Sequence, residues 1–326
     1  MRKKALITGI TGQDGCYLSQ FLLSKDYDVQ GFIRKEGKSN LECLDYLGIG
    51  QSVKLIKVNL LDGKSVKAHV KAIKPHELYH LAAISSVSES FREPQRTLKF
   101  NLTSTLNVLE AVRMVSPRTK FYQASSSEMF GQVKKYPATE QTPFTPLSPY
   151  GISKTTCHWM VRNYRKSYNL FCCCGILFNH ESVLRPEHFV VKKIISTAVR
   201  IQKGVKVKLR LGNIDVKRDW GYAPEYVKAM WLILQQRKPD DYVLATGESH
   251  SLRDILEETF KYLGLRWKDH VAFDKTLFRQ SDIVCTYGCA DKMKKEISWR
   301  YDLRFKDLIK LLVDDEVVYQ GKIKKD

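Results

Sequence analysis

Residues 4–15 read Lys-Ala-Leu-Ile-Thr-Gly-Ile-Thr-Gly-Gln-Asp-Gly, a short apolar run closed by glycines at positions 9, 12 and 15. An apolar run that ends in turn residues is a buried strand, and the stretch after it, "CYLSQFLLSKDY", has helical spacing. Glycines between a strand and a helix allow a tight turn and let the backbone approach a phosphate. The helix start adds free N–H groups and a partial positive charge. A glycine pattern alone is also an ordinary turn; the strand before it and the helix after it supply the context that dinucleotide binding needs.

Working outward, the strand-like runs "VQGFI", "VKLIKV", "ELYHLA" and "KFYQA" alternate with helix-period stretches at 63–73 and 92–115. A helix over 149–167 and the strand "LFCCCGILF" follow. Strands alternating with helices predict an α/β chain built on a doubly wound parallel sheet covered on both faces. Beyond Phe178 the rhythm changes. "NHESVLRPEHF" reads as a loop, "VVKKIISTAVRIQKG" as a helix with a Gly stop, and "VKLRLGN" as a strand. Helices are expected at 222–237, 251–263 and 304–316. The expectation is a first unit over 1–178 and a smaller mixed α/β C-terminal substrate lobe over 179–326, with later segments free to return to the first.

The chain has 326 residues, enough for a sizeable core, and a formal charge of +19. Its lysines are scattered and interleave with no aromatic residues, which reads as a solvated surface suited to polyphosphate ligands, without nucleic acid as a partner. No apolar run reaches the length of a membrane span, and the basic start lacks the apolar stretch of a signal peptide. A protein free of the membrane and cytoplasmic is expected. Of the eight cysteines, Cys172, Cys173 and Cys174 alternate faces of one strand, and Cys285 and Cys289 lack a second pair of ligands. Reduced thiols and no metal site are expected.

The strand "VQGFI" ends in Arg34-Lys35, with Glu36 only afterwards. An acid there would suit the ribose of NAD, whereas cations suit the 2′-phosphate of NADP. Tyr150 and Lys154, in "SPYGISK", lie four apart at the start of a helix and so share a face. A cation beside a phenol can lower its pKa, preparing it to take a proton from a hydroxyl as hydride leaves the same carbon. Such a pair arises by chance in a lysine-rich chain with 16 tyrosines. It gains meaning beside the glycine turn and an upstream hydroxyl at a strand end, which Ser126 in "YQASSSEMF" supplies. That order is the one seen in extended short-chain dehydrogenases.

"GITGQDG", "FYQASSSEMFG", "PFTPLSPYGISK", "GILFNHES" and "LGNIDVKRDWGYAPEYV" together resemble the GDP-mannose 4,6-dehydratase family. The resemblance continues through "YVLATGESHSLRDILEETFKYLG" and "RQSDIVCTYGCADKMKKEISW", so it covers essentially the whole chain. It implies a Rossmann-type fold, an NADP cofactor, a GDP-sugar substrate and a homodimer or homotetramer. It further implies Ser126, Glu128, Tyr150 and Lys154 as the catalytic set, Glu128 being the acid/base. Implied cofactor contacts run from Gly9, Ile10, Thr11, Gly12, Gln13, Asp14 and Gly15 to Arg34, Lys35, Asn59, Leu60, Leu81, Ala82, Ala83 and Ser85. Tyr150, Lys154, His180 and Arg185 complete that set. Substrate contacts are implied at Ser85, Ser126, Glu128, Tyr150, Asn179, Lys193, Arg218 and Arg279.

Four positions depart from the family's pattern. Asn59 stands for an acid, Arg96 for a tyrosine, Ser126 for a threonine, and "SPRRG" reads "SVLRP" with Leu184 for an arginine. None removes a reacting group. The implied reaction takes hydride from C4 of a hexose, loses water across C5 and C6 with Glu128 removing the C5 proton, and returns the hydride to C6. A GDP-manno-heptose 4,6-dehydratase has the same chemistry. A nucleotide-sugar C4-reductase or epimerase needs Ser, Tyr and Lys but no acid two residues on. A non-catalytic NADP-binding scaffold needs none of them.

Overall fold

The structure, a computed structural model, describes residues 2–34, 41–133, 135–278 and 283–323. Its first elements are β1 (Lys4–Thr8), α1 (Gln13–Ser24), β2 (Asp28–Ile33), α2 (Glu42–Tyr46), β3 (Lys54–Lys57), α3 (Gly63–Ile73) and β4 (Glu77–His80). Next come α4 (Val87–Arg92), α5 (Pro94–Val115), β5 (Lys120–Ser126), α6 (Pro149–Tyr168), β6 (Cys172–Leu177) and β7 (Asn179–Glu181). The remainder is α7 (Val190–Gln202), β8 (Leu209–Leu211), β9 (Lys217–Arg218), β10 (Trp220–Tyr222), α8 (Ala223–Leu234), β11 (Asp241–Leu244), β12 (His250–Ser251), α9 (Leu252–Tyr262), β13 (Val271–Phe273), β14 (Cys285–Thr286) and α10 (Phe305–Ile323).

Seven parallel strands form one sheet in the order β11-β6-β5-β4-β1-β2-β3. The order reverses direction beside β1, and in such sheets ligands bind at the carboxyl ends of the strands near that reversal. Two elements beyond residue 178 lie with this sheet: β11 pairs with β6, and α8 packs on α1. Local chemistry explains the helix starts. The Asp62 carboxylate accepts from Lys64 N–H and Ser65 N–H ahead of α3, and Ser148 Oγ accepts from Gly151 N–H ahead of α6, with Pro149 in the first turn.

The cysteine triplet behaves as a strand requires. Cys173 packs into the core under α1 and α8, while Cys172 and Cys174 face the core under α3, α5 and α6. A separate apolar core, including Val191, Ile195, Leu256, Phe260 and Leu312, joins α7, α9 and α10. Two sequence expectations are corrected. The loop reading of 179–189 fails at its start, where β7 pairs in parallel with β10, because three residues are too few to show a period. The last helix runs to Ile323 rather than 316. Among the described residues no helix is long and apolar enough to cross a membrane. One group of metal-type side chains there, His158, Cys174 and Asp241, is buried; Asp241 Oδ1 accepts from the Arg165 guanidinium and the Cys174 N–H, and Oδ2 lies 3.6 Å from Arg162 Nε and 3.8 Å from His158 Nε2.

Candidate active site

The glycine turn closes β1 and opens α1. Gly9 has φ +77, and a Cβ there would lie 2.8 Å from Ala82 N, so only glycine fits between the ends of β1 and β4. At Gly15 a Cβ would come 2.6 Å from Ile10 Cα, so this glycine lets the helix press against the turn. Gly12 differs: it is exposed, and a Cβ would meet only Gly9 O at 3.4 Å. Nothing inside the protein needs that glycine. It keeps open the space before the α1 N-terminus, a cradle that fits a dinucleotide's phosphates. The Ile10 and Leu60 side chains are buried in the core, so any cofactor contact they make runs through their backbone.

The α1 N-terminus is stitched to β7. Gln13 Nε2 donates to the His180 carbonyl at 3.1 Å, and Ser182 Oγ donates to Gln13 Oε1 at 2.8 Å. His180 Nε2 lies 3.0 Å from both Asp14 oxygens, and its Nδ1 lies 2.8 Å from Phe178 O. Burial opposes the charges on this pair. The imidazole nevertheless holds the Asp14 carboxyl down to about 2, and Asp14 raises His180 above its ordinary value. Both ring nitrogens of His180 are thus engaged within the protein. Beside them Arg185 Nε is 3.6 Å from Glu181, whose carboxyl burial pushes up, and the guanidinium stacks 3.8 Å over Phe189. Leu184, where the resemblance expects arginine, is buried in the core.

The catalytic candidates converge. β5 ends at Ser126, and a single tight turn over Ser127–Met129 follows, with Ser126 Oγ accepting from Glu128 N–H at 3.3 Å. The Tyr150 phenol is buried, and the nearby Ser126 side chain favours its ionised form. Lys154 Nζ lies 5.9 Å from the Tyr150 ring centroid and donates to Ala124 O at 2.7 Å. Only that one acceptor serves this buried ammonium among the described residues, leaving donors that fit ribose hydroxyls. The expected lowering of the Tyr150 pKa does not hold in the ligand-free chain. Burial pushes it up to about 12, against the Ser126 side chain and the Arg185 charge, which favour the phenolate.

At the same carboxyl end of the sheet, beyond β2 and β3, a groove of about 450 Å³ is lined by Arg34, Asn59, Leu61, Ile84, Gln95, Arg96, Lys99 and Phe100. Arg34 and Lys99 have no hydrogen-bond or ion-pair partner among the described residues, whereas Arg96 is paired with Glu89 at 3.1 Å and Glu93 at 2.6 Å. Asn59 Oδ1 accepts from Leu61 N–H at 3.1 Å. Thr11, Leu81, Ala82 and Ala83 are half-buried along the way, and Ser85 is exposed. Lys35 and Arg279 lie outside the described residues.

Of the substrate candidates, Asn179 is half-buried at the start of β7. Arg218 is buried and donates to Ile283 O at 2.6 Å, bracing β9 against β14. Lys193 Nζ donates to Arg210 O at 2.7 Å and is half-buried on α7. Sequence reasoning missed two supports. Asn101, buried on α5, accepts from Ile84 N–H at 2.9 Å and donates to Ser153 Oγ at 2.9 Å, fixing the loop after β4 to α6. Asp219, fully buried, accepts from Thr246 N–H at 2.9 Å and Gly247 N–H at 3.1 Å, holding the segment after β11. An apolar spacing pattern carries no signal for either.

A doubly wound sheet with this turn and this Ser-Tyr-Lys grouping defines an extended short-chain dehydrogenase/reductase fold. Solved structures agree on the fold. The dTDP-glucose 4,6-dehydratase of Bacillus anthracis, in complex with NAD, superposes with TM-score 0.85 at 20% identity over 99% of this chain and 98% of that one. RMD from Pseudomonas aeruginosa, complexed with NADPH, gives 0.81 at 21% identity over 97% and 99%. Within that class the sequence profile described as GDP-mannose 4,6 dehydratase matches residues 6–312. GDP-mannose 4,6 dehydratase 2 of Arabidopsis thaliana is 47% identical over 97% of this chain and 87% of its own length. The chain therefore belongs to the GDP-mannose 4,6-dehydratase family.

Proposed function

We propose that this chain converts GDP-mannose to the GDP-4-keto-6-deoxy sugar by 4,6-dehydration, using NADP. The observation that carries the reading is the placement of Glu128, in the turn after β5, its N–H on Ser126 Oγ and its carbonyl against Gly151 beside Tyr150. When bound, the cofactor supplies the hydride acceptor for C4 and the hydride donor for C6. Tyr150 takes the proton of the C4 hydroxyl, with Ser126 orienting that hydroxyl and Lys154 fixing ribose. The C4 ketone makes the C5 proton acidic. Glu128 removes it and passes a proton to the departing C6 hydroxyl, which leaves as water; Glu128, reprotonated from solvent, then gives C5 its proton as hydride reaches C6.

NADP rather than NAD is supported by Arg34 and Lys99, two cations in the groove beyond β2 that have no partner among the described residues. Guanine preference rests on family membership, with Arg218 and Arg279 as the proposed nucleotide clamp. A homodimer or homotetramer is supported by Leu106, Met114, Ile152 and Trp159, which stand 41%, 53%, 46% and 50% exposed on the adjoining helices α5 and α6. Light scattering that reads a monomer at working concentration would remove that proposal. Eight free cysteines support a reducing, cytoplasmic setting. The function is tested by a screen of GDP-, UDP- and dTDP-sugars with products weighed by mass spectrometry. Loss of one water from GDP-mannose, with no lasting change in nicotinamide absorbance, is expected. Accumulation of reduced cofactor without loss of water would replace the reading with a simple dehydrogenase.

A further inference from the structure

Asp14 places an acid in the first turn of α1, where the open cradle before Gly12 fits the cofactor's phosphates. A carboxylate there suits the helix dipole but repels a pyrophosphate. His180 answers that charge from the other side of the turn. Its Nε2 faces the Asp14 carboxylate and its Nδ1 faces the Phe178 carbonyl, and both neighbours only accept. Both ring nitrogens must therefore donate, which makes the imidazole a cation. Arg185 and Glu181 flank it on its own segment, and Tyr226 from α8 stacks on the ring at 4.6 Å and 19°. On α6, the charge of Asp14 also reaches Tyr150 and Lys154.

We propose that His180 is a positioning residue for the cofactor: it cancels the charge of Asp14 at the α1 N-terminus, so the pyrophosphate settles there, and it ties the sugar-side strand β7 to the same turn. The proposal rests on residues 9–15 being the cofactor turn and on no particular sugar. Two straps, Gln13 to the His180 carbonyl and Ser182 to Gln13, do not involve the imidazole and persist when it is replaced.

The test is binding of NADPH and NADH to the full chain without sugar, followed by fluorescence, together with thermal unfolding of the ligand-free protein. Cofactor binding by the wild type tests the cofactor reading itself; the differences among variants test the pair. His180→Gln keeps a donor but leaves Asp14 uncompensated, so both cofactors should bind roughly ten- to hundredfold more weakly. Asp14→Asn removes the repelling charge and should bind within about threefold of wild type or more tightly, although its melting temperature falls. The double variant is neutral again and should recover most of the affinity lost by His180→Gln. Wild-type affinity in His180→Gln, a double variant as weak as that single one, or affinity losses that track melting temperature across all three would each overturn the proposal.

Discussion

The carbonyl oxygen of Glu128 sits 2.7 Å from where a Cβ on Gly151 would stand, and Gly151 follows Tyr150 directly. The start of α6 thus lies against the turn that carries Glu128, and the missing side chain of Gly151 permits that close backbone approach. In an ordinary helix, Gly→Ala stabilises by about 1 kcal/mol. Here Gly151→Ala should do the reverse. Backbone atoms must move apart, at about 1–3 kcal/mol in stability. Turnover should fall about tenfold or more, since misplacements near 1 Å are costly in catalysis. Affinity for NADPH should fall less than turnover, because the turn at residues 9–15 is untouched and only Tyr150 and Lys154 lie on the displaced helix start. Steady-state kinetics beside cofactor titration checks this, and an Ala variant with full turnover would show that the contact is slack.

Arg34 supplies the second prediction. Arg34→Gln should weaken NADPH about ten- to hundredfold while NADH changes little, because one charge-assisted bond to the 2′-phosphate is lost. Titrating both cofactors into both proteins decides it. Equal weakening would mean that Arg34 does not read the 2′-phosphate.

Much of this site was legible in residues 4–15 and 122–154 because its signals are local. A strand, a glycine turn and a helix follow one another within two dozen residues, and Tyr150 and Lys154 share one helix face. What stayed hidden joins distant positions. Asp14 and His180 are 166 residues apart, and Gln13 and Ser182 are 169 apart, so no periodicity connects them. The family resemblance implied Asp14 and His180 as cofactor contacts; in the structure their side chains engage each other. The same holds for Lys99, a plain helix-face lysine until α5 is laid beside the end of β2. Lys35 and Arg279 lie outside the described residues, so their roles stay proposals.

The Asp14–His180 pair also gives stability a definite pH dependence. The Asp14 carboxyl is lowered from 3.8 to about 2, so its contribution is present above pH ~4 and is lost as pH falls through about 2. His180 is raised above 6.5, so its contribution is full below that pH and is lost as pH climbs through the folded value. The pair stabilises most between about pH 4 and 6.5. A charged hydrogen bond of this kind contributes about 2 kcal/mol. Urea unfolding at pH 5.5 and 9 should show His180→Gln losing most of its deficit at the higher pH. A deficit that is the same at both would remove the imidazolium from the account.

Glu128 carries the sharpest prediction. If it is the base at C5, Glu128→Gln should leave the fold, cofactor affinity and the Ser126–Tyr150–Lys154 group intact, because the hydrogen bond from Glu128 to Ser126 runs through its backbone N–H and its carbonyl meets Gly151. Dehydration should fall by about 10²–10⁴-fold, the usual contribution of a positioned acid/base. Hydride removal at C4 should survive, so a single turnover should leave reduced cofactor and a keto-sugar that has not lost water. In deuterated water the wild type should place solvent deuterium at C5, and the variant should exchange there slowly or not at all. Rapid-quench sampling with mass spectrometry reads both the water loss and the label. Wild-type dehydration by the Gln variant would make Glu128 a bystander, and another group would have to take the C5 proton.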